Sequence, residues 1–75
     1  MKDIKIGKYM HYKGKEYEVI DFARDSETLE EVVVYKALYS SEEFGDGALW
    51  TRTRKEFSEN VIVDGKEIPR FEFIG

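Results

Sequence analysis

His11 is the one side chain here whose ordinary pKa lies near neutrality, which makes it the natural acid–base candidate. Catalysis would need more than that residue. The chain has no cysteine and no second histidine, so the usual nucleophile and transition-metal sets cannot be completed around it. A packing or surface role for His11 is the stronger reading, and turnover by His11 with a nearby carboxylate is the enzymatic alternative.

The carboxylates offer pairs but no obvious chemistry. Glu16 and Glu18 share one strand face, and Glu30 and Glu31 sit beside a turn. Acid–base work needs two carboxyl groups in contrasting environments within a cleft, whereas these read as solvated faces. Glu42, Glu43 and Asp46 lack the ordered ligand spacing of a calcium-binding EF-hand loop. No metal or cofactor is expected.

A third set is more suggestive. Tyr9, Tyr35, Tyr39 and Trp50 accompany Arg52 and Arg70, and aromatic surfaces beside guanidinium groups can grip a peptide, an anion or a base. The plainer role for these aromatics is core filling, because a chain of 75 residues leaves much of its surface exposed and needs large apolar side chains to hold together. Trp50 and Arg52 share strand phase, so an inward Trp50 implies an inward Arg52 that would need an internal carboxylate partner.

Charge narrows the partners. Twelve basic residues against sixteen acidic ones give a net charge of −4, which disfavours a broad phosphate-binding surface. The distribution is uneven, with Lys2, Lys5, Lys8, Lys13 and Lys15 opposed by Asp3 alone at the N-terminus. Together with Arg52, Arg54 and Lys55, these lysines support nucleic-acid binding as a second alternative. The N-terminal segment has no continuous apolar run, and no stretch is long enough to span a membrane as a helix. A cytoplasmic location and no membrane partner are therefore expected, within a single domain over residues 1–75.

Residues with these properties must be positioned by strands. Alternation over Lys8–Tyr12 predicts a first strand, Gly14 a turn, and Glu16–Val19 a second strand in hairpin with the first. The apolar phase then slips, since Tyr17 and Val19 face one way and Ile20 and Phe22 the other. A bulge or bend near Asp21 repairs the slip and favours a strongly curved sheet.

Val32–Tyr39 is the most β-favouring run and predicts an interior third strand. Residues 40–47 read as a flexible loop, although Ser40 and Glu43 have capping-box spacing. A fourth strand is predicted over Ala48–Arg52, and a short helix over 54–58 follows from the capping-box pair Thr53 and Glu56. Asp64-Gly65 marks a type I′ hairpin turn leading into a last strand over 66–73, in which Pro69 demands an edge or bulge.

Several blocks in this order, G-K-Y-x-H-Y-K-G, Y-E-V-I, A-R-x-S-E-T, V-V-Y-x-A-L-Y, L-W-x-R and D-G-x-x-P-R-F, resemble the bacterial domain of unknown function 1653. The resemblance runs from Gly7 to Phe73. It implies a compact, β-rich bacterial protein and no assigned activity. The family pattern has His where this chain has Asp25, and an apolar stretch opening with proline where this chain has Thr53-Arg54-Lys55.

The resulting expectation is a mostly β fold: a small, strongly bent antiparallel sheet or SH3-like barrel of about five strands with one short helical turn. Its expected function is that of a noncatalytic binding module for a peptide, protein surface or small anion, with Tyr9, His11, Tyr35, Tyr39, Trp50, Arg52 and Arg70 as the candidate contacts.

Overall fold

Alternation in the sequence, broken once in the second strand, becomes a sheet that packs one face into the core. A computed structural model describes residues 4–75; Lys2 and Asp3 of the basic N-terminal segment lie outside them. The strands are β1 (Gly7–His11), β2 (Glu16–Arg24), β3 (Glu31–Ala37), β4 (Ser40–Ser41), β5 (Gly45–Asp46) and β6 (Leu49–Thr53). Helix α1 (Arg54–Ser58) follows, and then β7 (Asn60–Val63), β8 (Lys66–Pro69) and β9 (Phe71–Phe73).

Five strands form one antiparallel sheet in the order β6-β3-β2-β1-β9, while β4–β5 and β7–β8 are separate two-stranded ribbons. The mostly β expectation with one short helix is met. β3 is interior, as its two-sided apolar pattern requires, although it ends at Ala37 rather than Tyr39.

The phase slip in β2 is resolved by a bulge. Val19 pairs with Tyr35 and Asp21 with Val34, leaving Ile20 as an extra residue with no partner of its own. Phe22 thereby joins Tyr17 and Val19 on the inner face, paired with Val33, which in turn pairs with Arg52. Gly7, Val19, Tyr35 and Trp50 form one cross-strand row, and Phe73, Tyr9, Tyr17 and Ala37 form the next.

These rows build the core. Tyr9, Val19, Val33, Tyr35, Phe57 and Phe71 are buried together, with Ile4, Tyr17, Phe22 and Trp50 packed against them. Phe57 is the buried residue of α1, and it stacks on Phe71 with ring centres 4.3 Å apart. The helix stands where Thr53 and Glu56 predict it. The Glu56 amide donates to Thr53 Oγ1 at 3.1 Å, and the Thr53 amide donates back to the Glu56 carboxylate at 3.4 Å.

Two regions differ from the expectation. Residues 40–47 are not a plain loop, because β4 and β5 pair and the exposed Phe44 packs edge-on against Trp50, with ring centres 5.0 Å apart. Ser41 Oγ accepts the Phe44 amide at 3.0 Å, closing the turn between the two strands in place of the expected flexible loop. The last strand is also divided: β8 pairs with β7 and β9 with β1, and the break falls immediately after Pro69. Asp64 and Gly65 both have positive φ, 51° and 76°, as a type I′ turn requires.

At the β2–β3 turn, Asp25 Oδ1 accepts the Glu27 and Thr28 amides at 2.8 and 3.1 Å. Those two bonds hold its carboxyl below the usual carboxylate range, so Asp25 builds the turn. Among the described residues, no helix is long and apolar enough to cross a membrane.

Candidate functional site

Inward-facing residues of β2, β3 and β6 do not all reach the packed core. Beyond Tyr35 the inner face opens into a cavity of about 410 Å³, walled by Tyr17, Tyr35, Tyr39, Phe44, Trp50 and Arg52, with Glu43 at its edge. Each wall has a local cause. Tyr17, Tyr35 and Trp50 are placed by cross-strand pairing, Tyr39 by the bend after β3, and Phe44 by the β4–β5 turn.

Hydroxyl groups and one guanidinium line its polar side. Tyr17 and Tyr39 share a hydrogen bond of 2.6 Å between their hydroxyls, and Arg52 Nε donates to Tyr35 Oη at 3.2 Å. Arg52 is thus turned inward with Trp50, but its partner is a phenol where a carboxylate was expected. Burial pushes the Tyr35 phenol up, with the Arg52 hydrogen bond and charge acting in the opposite direction. Burial likewise raises the Tyr17 phenol, and the bond from Tyr39 raises it further. Lys15 Nζ lies 5.0 Å from the centre of the Tyr39 ring, adding a cation at the outer wall.

The seven candidate residues therefore separate. Tyr35, Tyr39, Trp50 and Arg52 share this cavity. Tyr9 belongs to the core, where its hydroxyl donates to the Lys5 carbonyl at 2.8 Å and accepts the Lys5 amide at 2.9 Å. It also borders a second cavity of about 320 Å³ beside Phe57 and Phe73.

His11 lines a third cavity, also about 320 Å³, with Tyr12, Pro69 and Glu72. Its Nδ1 accepts the Lys13 amide at 3.2 Å, and its ring packs against Tyr12 and Phe71. Burial lowers the His11 pKa below its ordinary value, and the charges of Arg52, Arg70 and Lys13 lower it further.

Arg70 lines none of these three cavities, yet its charge acts on both His11 and Tyr35. Its backbone ties β9 to its neighbours: the amide donates to the Glu59 carbonyl at 3.1 Å and the carbonyl accepts from Tyr12 at 3.0 Å.

Two aromatic residues of the cavity escape the sequence reading. Tyr17 is in phase with Val19 and sits between Tyr9 and Ala37 across the strands, so alternation alone could have placed it. Phe44 is the sole aromatic within an otherwise polar stretch, which is the signal it leaves. Of the basic run behind the nucleic-acid alternative, Arg52 belongs to β6 and Arg54 and Lys55 to α1. Arg54 pairs with Glu31 at 2.5 Å and lies over the Phe22 ring. Among the described residues, no group of three or more His, Cys, Asp and Glu converges as a metal cage would.

Comparison with known proteins bears on the family and the fold. The profile of the protein of unknown function family DUF1653 matches residues 7–73. The chain is also similar to the crystal structure of a DUF1653 protein from Bordetella bronchiseptica, with 37% sequence identity and a TM-score of 0.86. That match covers 97% of this chain and 90% of the other. Comparison with curated proteins gives no significant match.

Proposed function

The chain belongs to the DUF1653 family, and we propose that it is a noncatalytic binding module for a peptide, protein surface or small anion, with the cavity beside Tyr35 as its site. One observation carries this reading. Trp50 and Arg52, half-buried where pure core packing would have buried them fully, border a common open concavity with Tyr39 and with the core residue Tyr35. Its volume lies at the lower end of the range for small-molecule sites, and its composition of aromatic walls with few polar groups is that of a recognition pocket.

The polar groups in it suit binding better than turnover. Ser41 Oγ is occupied by the Phe44 amide, the tyrosine hydroxyls bond to each other or to Arg52, and His11 lies in a different cavity. No hydroxyl there has a general base beside it among the described residues.

The test is retention of cell-extract components on immobilised protein, comparing wild type with Trp50→Ala and Arg52→Ala. Small molecules or peptides enriched by wild type and lost from both variants support the reading. If retention is indistinguishable among the three proteins, the cavity is not a binding site.

Turnover at His11 has one observation in its favour, the cavity that His11 shares with Glu72. In that case His11→Ala would abolish an activity that Trp50→Ala leaves intact.

A further inference from the structure

We infer that the ligand of the Tyr35 cavity is a small organic anion, a carboxylate or phosphate carried on a flat unsaturated ring, with Arg52 as its direct contact. The inference rests on the binding-module reading and adds the chemistry of what is bound.

The first argument is a count of donors and acceptors. Two buried side-chain polar atoms among the described residues lack a hydrogen-bond partner, Trp50 Nε1 and Arg70 Nε. Both are N–H donors with no acceptor capacity. A buried donor left without a partner forfeits its hydration, so such atoms are rare in folded proteins. Neither atom opens onto the cavity, since both are closed off from solvent; Arg52, which does wall it, uses only Nε within the protein among the described residues, towards Tyr35. The remaining guanidinium N–H groups of Arg52 are donors without a protein partner, and a complement to them must bring acceptor oxygens.

The second argument is charge. Among the described residues the one ion pair is Arg54 with Glu31; neither Arg52 nor Arg70 has a carboxylate within ion-pairing distance. In a chain with more acidic than basic residues, two half-buried arginines without carboxylates are conspicuous. Arg52 stands in the cavity wall and Arg70 outside it, and the charges of both act on Tyr35 and on His11. Lys15 over Tyr39 adds a third positive group near the same tyrosines. Glu43 is the one acid at the edge, which favours a ligand of low charge over a polyphosphate.

The third argument is shape. Tyr17 meets Tyr35 and Tyr39 edge to face, at interplanar angles of 81° and 80°, and Phe44 meets Trp50 at 83°. Rings set perpendicular to one another present both faces and edges to the space between them, which suits a planar guest. An arginine at the end of such a slot can bind a carboxylate or phosphate in a bidentate fashion.

Four probes separate these elements: benzoate, phenyl phosphate, benzyl alcohol and inorganic phosphate. The readout is the NMR shift of the Trp50 indole N–H and the Arg52 Nε–H, in wild type and in Arg52→Gln, which keeps a donor near Tyr35. Benzoate or phenyl phosphate should move both signals, and binding should weaken about tenfold or more in Arg52→Gln, the scale of one charge-assisted contact. Benzyl alcohol should bind more weakly than the anions and be indifferent to the substitution.

Benzyl alcohol binding as tightly as benzoate would overturn the anion assignment while leaving the cavity a binding site. Inorganic phosphate binding as tightly as phenyl phosphate would overturn the ring. Silence from all four would overturn the inference, and retention on Trp50→Ala against wild type would then decide the binding-module reading separately.

Discussion

The hydroxyl oxygens of Tyr17 and Tyr39 lie 2.6 Å apart, joining the start of β2 to the bend that follows β3. Tyr39 is outside any strand, so this bond and the nearby rings are what hold it over the cavity. Tyr39→Phe should cost about 1 kcal/mol, the usual net worth of such a bond, and Tyr17→Phe a similar amount. Because the two substitutions remove the same interaction, the double variant should cost less than their sum, measurable by urea denaturation.

Core burial is concentrated in few side chains. Phe57 is 3% exposed and touches Tyr9, Tyr35 and Phe71 ring to ring, so it closes the inner face of the sheet. Phe57→Ala should destabilise by about 3–5 kcal/mol, a large share of what so small a domain has available. Thermal melting should show a far lower midpoint for Phe57→Ala than for Phe57→Leu.

At the start of α1, Thr53→Ala removes the side chain that accepts the Glu56 amide. Loss of such a cap costs about 0.5–2 kcal/mol, whereas Thr53→Ser should retain most of the stability. Chemical denaturation of the three proteins distinguishes a capping role from simple side-chain packing.

His11 gives the fold a defined acid sensitivity. Its folded pKa lies below the ordinary value of 6.5 because burial and the neighbouring cations disfavour the imidazolium. Above pH 6.5 the residue is neutral in both states and its contribution is fully present. As the pH falls below that value the unfolded chain takes up a proton first, and stability declines until the folded pKa is passed. Stability measured at intervals below pH 7 should fall in wild type, and His11→Gln should flatten that part of the profile.

Much of the fold was legible because its signals are local. Asp64-Gly65, the Thr53–Glu56 pair and the parity change around Ile20 each act within a few residues, and each produced the feature it announces. The β4–β5 ribbon was not legible, because Ser40–Ser41 and Gly45–Asp46 have no strand propensity and are held by the packing of Phe44 on Trp50. The break at Arg70 was missed for a similar reason, since it arises from β9 choosing β1 as a partner across the whole chain.

The candidate site divides along the same line. Trp50 and Arg52 share a face by alternation, so their proximity could be read directly. Tyr9 and Tyr35 are equally buried core residues, yet the hydroxyl of one is tied to the Lys5 backbone and that of the other accepts from Arg52 at the Trp50 cavity. Only the order of strands in the sheet separates them.

Ile20 is the residue that β2 carries in excess, and its side chain is 41% exposed. Removing it would leave Val19 opposite Tyr35, Asp21 opposite Val34 and Phe22 opposite Val33, now in unbroken alternation. Partner choice and curvature are thus written in separate residues: a chain one residue shorter would keep every cross-strand neighbour while straightening the strand that shapes the cavity's inner wall.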